Sequence, residues 1–335
     1  MKVRLLFIVI PVCFFMISSQ AEKPAYRIFT SKGKSAGFED LLKTAKTSDI
    51  ILFGESHDNP ICHWLELELT KDLFEMKKDK LVLGAEMFER DNQLLLNEFL
   101  SKMIRKKDFE AEAKLWPNYK TDYAPIADFA RKNSIRFIAT NIPRRYAAIV
   151  NLKGFSGLDS INSMERGLIA PLPIKYDPEL KCYKDILNMM GDGMPAHMSE
   201  NIAKAQAIKD ATMGYFIMKN WADSIVFLHF NGSYHSDDHL GIEWYMKQFI
   251  KKTDWTVRIL TITTVEQDTI EDLKKEYFGK ADFIICIPSD MTKTREPETP
   301  SAMPPMPAAA PDVKSTEKPK EKTATEGNGG DDDDD

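Results

Sequence analysis

Short, nearly unbroken apolar runs recur along the chain at 50–54, 81–85, 135–140, 225–230, 256–264 and 282–287. Each is too short for a helix and rich in strand-forming residues, which is how a strand covered on both faces reads. Between them the apolar positions recur every three or four residues, as in Leu65, Leu69, Leu73 and Met76 of the stretch 62–76. The same helical spacing predicts helices over 92–102, 123–132, 201–220, 242–251 and 265–277. Strands alternating with helices predict an α/β fold with a mainly parallel central sheet flanked by helices. Residues 151–198, interrupted by Pro171, Pro173, Pro178 and Pro195, fit neither period. They read as a loop-rich or helical insertion, suited to a lid or a ligand wall.

The two ends of the chain are different material. Lys2 and Arg4, an apolar run from Leu5 to Ile17 and the small residues before Glu22 predict a signal peptide over 1–21. Pro11 breaks that run, which is short for a membrane span. Ile10, Pro11 and Val12 before Cys13 are not the small residues that lipoprotein processing needs. The expected location is therefore secreted or periplasmic, with outer-membrane association as the variant. From 296 to 335 the chain holds seven prolines and ends in five aspartates, with few residues able to form a core. That composition predicts a disordered, acidic tail and leaves 22–295 as the folded domain.

Charge narrows the partners. Loss of Lys2 and Arg4 takes the formal charge from −6 to −8, and most of that excess lies in the tail. The folded part is close to neutral, so it lacks the basic footprint of a nucleic-acid-binding protein. Cys62, Cys182 and Cys286 remain after cleavage. An odd number allows one disulfide at most, so the fold must stand on its hydrophobic core.

The strand ends carry the chemistry. The first run ends in Gly54-Glu55-Ser56-His57, the second at Glu86 and Glu89, and the third at Asn141 with Arg144 just beyond. The fourth ends in Asn231-Gly232-Ser233-Tyr234-His235. In open α/β sheets ligands bind at the carboxyl ends of the strands. Four adjacent parallel strands would gather Glu55, His57, Glu86, Asn141, Arg144 and His235 around one crevice, a set able to do acid–base work or bind metal. Each has a plainer use. Glu55 and Glu86 could cap the following helices, His229 reads as a satisfied wall histidine, and His63 reads as exposed or as a residue backing the site. His235 and His239 have the i, i+4 spacing of helical metal ligands, although the residues between them look like a loop.

The segments FGESHDNPICHWLELEL, GAEMFERDNQ, DYAPIADFARKNSIRFIATNIPRRYA, AQAIKDATMGYFI and HFNGSYHSDDHLGI together resemble the successive blocks of the ChaN-like family of haem-binding, iron-regulated bacterial proteins. That family is grouped with the erythromycin esterases and the Tiki and GumN proteins by a Gly-Glu-x-His element, a second Glu and a later His. The resemblance covers roughly residues 48–250. It implies an α/β fold, haem bound at a subunit interface, hence a homodimer, and a role in haem or iron acquisition with an outer-membrane or surface haem receptor as partner. Carried over by motif, Glu55, His57, Glu86 and His235 are the superfamily site. A tyrosine and a histidine are the haem ligands that the resemblance implies, and ferric haem accepts both. His197, among Met189, Met190, Met194 and Met198, and the upstream Tyr176 and Tyr183 are the candidates, with Arg144 as a cation for the cofactor. Haem is thus the expected cofactor and a divalent metal the lesser one. The alternative function is hydrolysis at the Gly-Glu-x-His site, either by acid–base catalysis or through a metal held by the same side chains.

Overall fold

A computed structural model of the protein describes residues 23–190 and 196–295, all within a compact unit that ends at Arg295. Its strands are β1 (Arg27–Thr30), β2 (Ser35–Ala36), β3 (Ile50–Glu55), β4 (Leu81–Glu89), β5 (Arg136–Asn141), β6 (Val226–Gly232), β7 (Ile259–Gln267) and β8 (Phe283–Pro288). They form one sheet in the order β2-β1-β8-β7-β3-β6-β4-β5. The pairs from β8 to β5 are parallel, and β1 joins β8 and β2 antiparallel at one edge. The expected mainly parallel, helix-covered sheet is therefore what the chain forms.

The unbroken apolar runs have a simple cause, because both faces are buried. Ile51, Phe53, Leu83, Ala85, Leu228 and Phe230 face one core with Leu65, Leu69 and Leu73 of α2 (Pro60–Lys77). Ile50, Leu52, Val82 and Phe227 face the other core, with Met213 and Ile217 of the long helix Ala196–Asn220. Between α2 and that helix lie α3 (Gln93–Leu100), α4 (Lys106–Glu112), α5 (Ala124–Asn133), α6 (Arg144–Lys153), α7 (Ser163–Arg166) and α8 (Lys181–Met190), while α1 (Phe38–Ala45) precedes β3. The long helix is α9, and α10 (Ile242–Ile250) follows β6. Residues 151–190 hold the end of α6, short helices and irregular chain, and Leu158, Ile161 and Ile169 pack with Ala205 and Ile208 of α9.

One predicted helix does not form. Residues 265–277 begin as the last part of β7, whose register with β8 runs from Ile262↔Phe283 to Gln267↔Pro288. Ile270, Leu273 and Tyr277 do have helical spacing, but they lie in a loop that packs them, with Val265 of β7, against Phe29 and Ile284. The Gln267 side chain fixes that loop: its amide donates to the carbonyls of Thr269 and Asp272, and its oxygen accepts from the Lys274 amide. Cys62, Cys182 and Cys286 are buried free thiols.

Candidate functional site

β3, β6 and β4 lie side by side, and their carboxyl ends converge. Two glycines permit the approach. A Cβ on Gly54 would lie 2.9 Å from Ser233 Cα, and one on Gly232 would lie 2.7 Å from two ring atoms of His57. Any side chain at these positions would push the turn after β6 away from β3. The register of β4 against β5 shifts between Ala85 and Glu89, a bulge that re-aims the residues it contains. Glu86 lies within it and accepts the Gly232 amide at 2.8 Å.

The structure brings Glu55, His57, Glu86 and His235 together. His57 Nδ1 lies 2.8 Å from Glu55 Oε1, which also accepts the Tyr123 hydroxyl at 2.7 Å. His235 Nε2 lies 3.2 Å from Glu86 Oε1, and its Nδ1 is tightly hydrogen-bonded to Asp210 of α9. Tyr183 donates to the other Asp210 oxygen at 3.0 Å. Glu55, Glu86, Asp210 and His235 are buried, whereas the His57 side chain is 33% exposed, with Trp116 edge-on at 4.9 Å. Solvent therefore meets this group through His57.

Burial opposes charge on all of these groups; at Asp210 it wins and raises the carboxyl above its ordinary value, whereas at the other four their pairing overrides it. For His235, the field of Glu86 and the contact with Asp210 win and push its pKa up to about 10. Conversely, His235 and His57 hold Glu86 well below the usual carboxylate range. His63 and His57 hold Glu55 at about 2. His57 is raised by Glu55 and Glu86 despite its partial burial. The arrangement is one enclosed imidazolium between two carboxylates beside one accessible imidazole oriented by a third.

The remaining predicted residues divide. Arg144 is tied to Glu89 by its side chain and by its amide at 2.9 Å, and none of its hydrogen bonds reaches the four central residues. Tyr183 is fully buried with its hydroxyl given to Asp210, so in this arrangement it braces His235 rather than facing a haem. Among the described residues the Tyr176 hydroxyl is buried without a partner, and its ring lies 5.5 Å from those of Phe155 and Tyr183. The His197 side chain and residues 191–195 lie outside the described residues. His229 is a satisfied wall residue, held by Thr140 at 2.7 Å and Asn231 at 3.0 Å. The His235/His239 spacing is not helical: Asp238 and His239 have φ of 59° and 57°, and His239 turns to Glu243.

Several participants were not singled out in the sequence. Asp210 is a buried carboxylate among Ala207, Ile208 and Ala211 on α9, and Glu66 sits between Leu65 and Leu69 on the buried side of α2. A charged residue on an apolar helix face was the available signal. His63, expected from the sequence as exposed or as a residue backing the site, is buried behind Glu55 with Glu66 and Asp122 as neighbours.

Fold and site together define a strand-end acid–base cluster on a parallel α/β sheet. The chain belongs to the family of haem-binding uptake proteins of the Tiki superfamily, ChaN, whose profile matches residues 41–246. It is similar in structure to ChaN of Campylobacter jejuni, solved with cofacially bound haem, at a TM-score of 0.59 and 16% identity over 78% of this chain and 96% of that one. More distant are an erythromycin esterase mutant in its open conformation (TM-score 0.45, 9% identity, 75% and 93% covered) and the type III effector HopBA1 (TM-score 0.40, 13%, 74% and 91%). None of the curated proteins compared with the chain matches it.

Proposed function

We propose that this protein binds haem and serves haem or iron acquisition outside the cytoplasm. The observation that carries this reading is the family match, because residues 41–246 span both the strand-end cluster and the segment 151–190 beside it. Tyr176 supports the fit: a buried hydroxyl without a partner, next to two aromatic rings, is a group that a flat apolar ligand with a Lewis-acidic centre would satisfy. Haem iron accepts phenolate and imidazole ligands, so Tyr176 and His197 are the proposed ligands. The leader over 1–21 would export the chain, and a homodimer closing over haem would hand it to an outer-membrane or surface receptor. Among the described residues no helix is long and apolar enough to cross a membrane.

The test is a haem titration of the mature protein followed by its Soret absorption. Tyr176→Phe and His197→Ala should each shift the band, while Met164→Ala, at an exposed position in the same segment, should leave it in place. Unchanged spectra in both ligand variants would remove them as ligands.

A second reading rests on the strand-end cluster itself. His57, oriented by Glu55 and open to solvent, is placed to take a proton from water, and the enclosed His235 cation is placed to stabilise developing negative charge. A serine nucleophile has no such support. The Gly-x-Ser-x-Gly spacing at Gly33–Gly37 puts Ser35 on edge strand β2, with β1, β8 and β7 between it and β3.

A further inference from the structure

We propose that Glu55, His63 and Glu66 hold a divalent first-row metal ion, Mn2+ or Zn2+, in the layer directly beneath the strand-end site. His63 is the centre of the argument. Its Nε2 faces only acceptors, the His57 carbonyl at 3.2 Å and Asp122 Oδ2 at 3.4 Å, so this nitrogen must carry hydrogen. Its Nδ1 also faces only acceptors, Glu66 Oε2 at 3.2 Å and Glu55 Oε2 at 3.7 Å. A neutral imidazole has a single N–H. Once Nε2 has it, the Nδ1 lone pair points at carboxylate oxygens, so either a shared proton or a cation must lie among them.

The oxygens around His63 make the same demand independently. Glu55 Oε2, Glu66 Oε1 and Asn118 Oδ1 are buried and meet no N–H or hydroxyl donor among the described residues, and the Glu55 and Glu66 carboxylates face each other across a gap that needs a proton or a cation. Tyr123 and His57 both use Glu55 Oε1, and the Asn118 amide donates to the His57 carbonyl and Asp122, so these contacts leave the three oxygens unserved. Such orphaned acceptors are rare in folded interiors and call for an explanation.

The spacing suits an ion. Two ligands each about 2.1 Å from one metal, at angles between octahedral and trigonal, stand about 3.0–3.6 Å apart. The His63 Nδ1–Glu66 separation of 3.2 Å falls in that range, the Glu55 separation of 3.7 Å sits at its upper edge, and the ligand atoms of all three residues lie within 4.8 Å of one another. The Nε2 contact with Asp122 is the outer carboxylate that commonly orients a metal-bound histidine. Carboxylate oxygens with one imidazole suit Mn2+ or Zn2+ rather than a soft ion. Bound there, the ion would fix Glu55 with its other oxygen toward His57, making this layer a positioning element for the site above.

The experiment uses haem-free mature protein loaded with MnCl2 or ZnSO4, dialysed, and assayed for metal by mass spectrometry, with far-UV circular dichroism on every variant. Wild type should keep about one equivalent per chain. Glu66→Gln and His63→Gln should lose it, the outer variant Asp122→Asn should bind about ten- to a hundredfold more weakly, and Glu86→Gln should keep it. Pulsed EPR of the Mn2+-loaded wild type, which needs no variant, should show coupling to one imidazole nitrogen. Retention of neither ion would overturn the proposal and leave a proton as the species shared by His63 and Glu66. So would undiminished binding in Glu66→Gln, or loss in Glu86→Gln instead, which would move the ion to the strand-end site. Haem binding through residues 151–198 can fail without touching these results, and the reverse also holds.

Discussion

His235 and His57 stand at the ends of neighbouring strands, each against a glutamate, yet one is enclosed and the other is open. His235 lies between Glu86 and Asp210, with Tyr183 completing the Asp210 carboxylate. His57 is fixed at Nδ1 by Glu55, keeps a third of its side chain in solvent, and rests on a layer whose oxygens lack partners. The α9 side is built to keep a charge in place. The α2 side is built to exchange protons and to take a cation.

Breaking the enclosed side should cost most. Asp210→Ala removes one partner of a buried ion pair and leaves the other charge uncompensated, a loss of about 3–5 kcal/mol. Urea denaturation should show this as a lower midpoint at unchanged slope, whereas His57→Ala should lose less because water replaces its contacts. A change in Asp210→Ala no larger than that in His57→Ala would erase the distinction. The same pair sets a pH dependence. The folded pKa of His235, about 10, stands above its ordinary value near 6.5. Its contribution is therefore complete below about pH 6.5 and is lost as pH rises through about 10. Midpoints measured from pH 6 to 10 should fall, and His235→Gln should flatten that limb; a flat wild-type profile would show that His235 carries no such proton.

Activity sharpens the contrast from the open side. Glu55→Gln keeps the shape but removes the charge that orients His57, so any ester or amide hydrolysis should fall by about a hundredfold or more. Haem affinity, if set by Tyr176 and His197, should stay within about 1 kcal/mol, roughly a factor of five. Hydrolysis by wild type that vanishes in Glu55→Gln would favour the enzyme reading. Collapse of haem binding in a folded Glu55→Gln protein would merge the two sites, with the ligand sought among His57, Glu86 and His235.

Which parts of this were legible in the sequence follows from where each signal originates. Strands β3, β4 and β6 stand out because they are covered on both faces, and their terminal Glu55, Glu86 and His235 are close to them in the chain. Asp210 and Glu66 come from helices that cross the strand ends, and helical periodicity says which face is buried but not which strand end lies beneath it, which is also why the sequence alone leaves His63 between an exposed and a backing position. The stretch beyond Thr264 misled because Ile270, Leu273 and Tyr277 have helical spacing while the Gln267 side chain ties the chain after β7 into a loop. The edge strands β1 and β2 are too short to leave a period at all.

The smallest expected effects come from two neighbouring tyrosines whose rings lie 5.5 Å apart. Tyr183 gives its hydroxyl to a buried carboxylate, so Tyr183→Phe should cost about 1.5–3 kcal/mol, the range for hydrogen bonds to charged groups. Tyr176 has a buried hydroxyl that gives to nothing among the described residues, and burial with the nearby Glu200 pushes its pKa up to about 12. Removing an unpaired buried hydroxyl relieves a desolvation cost, so Tyr176→Phe in the haem-free protein should be neutral or slightly stabilising. Haem should reverse the order: a ligand that uses the Tyr176 oxygen stabilises the wild type by mass action and the Phe variant less. Thermal melts of both proteins with and without haem measure this directly. Equal haem-induced shifts in the two would leave the Tyr176 oxygen without a use and remove the structural support for that tyrosine as a haem ligand.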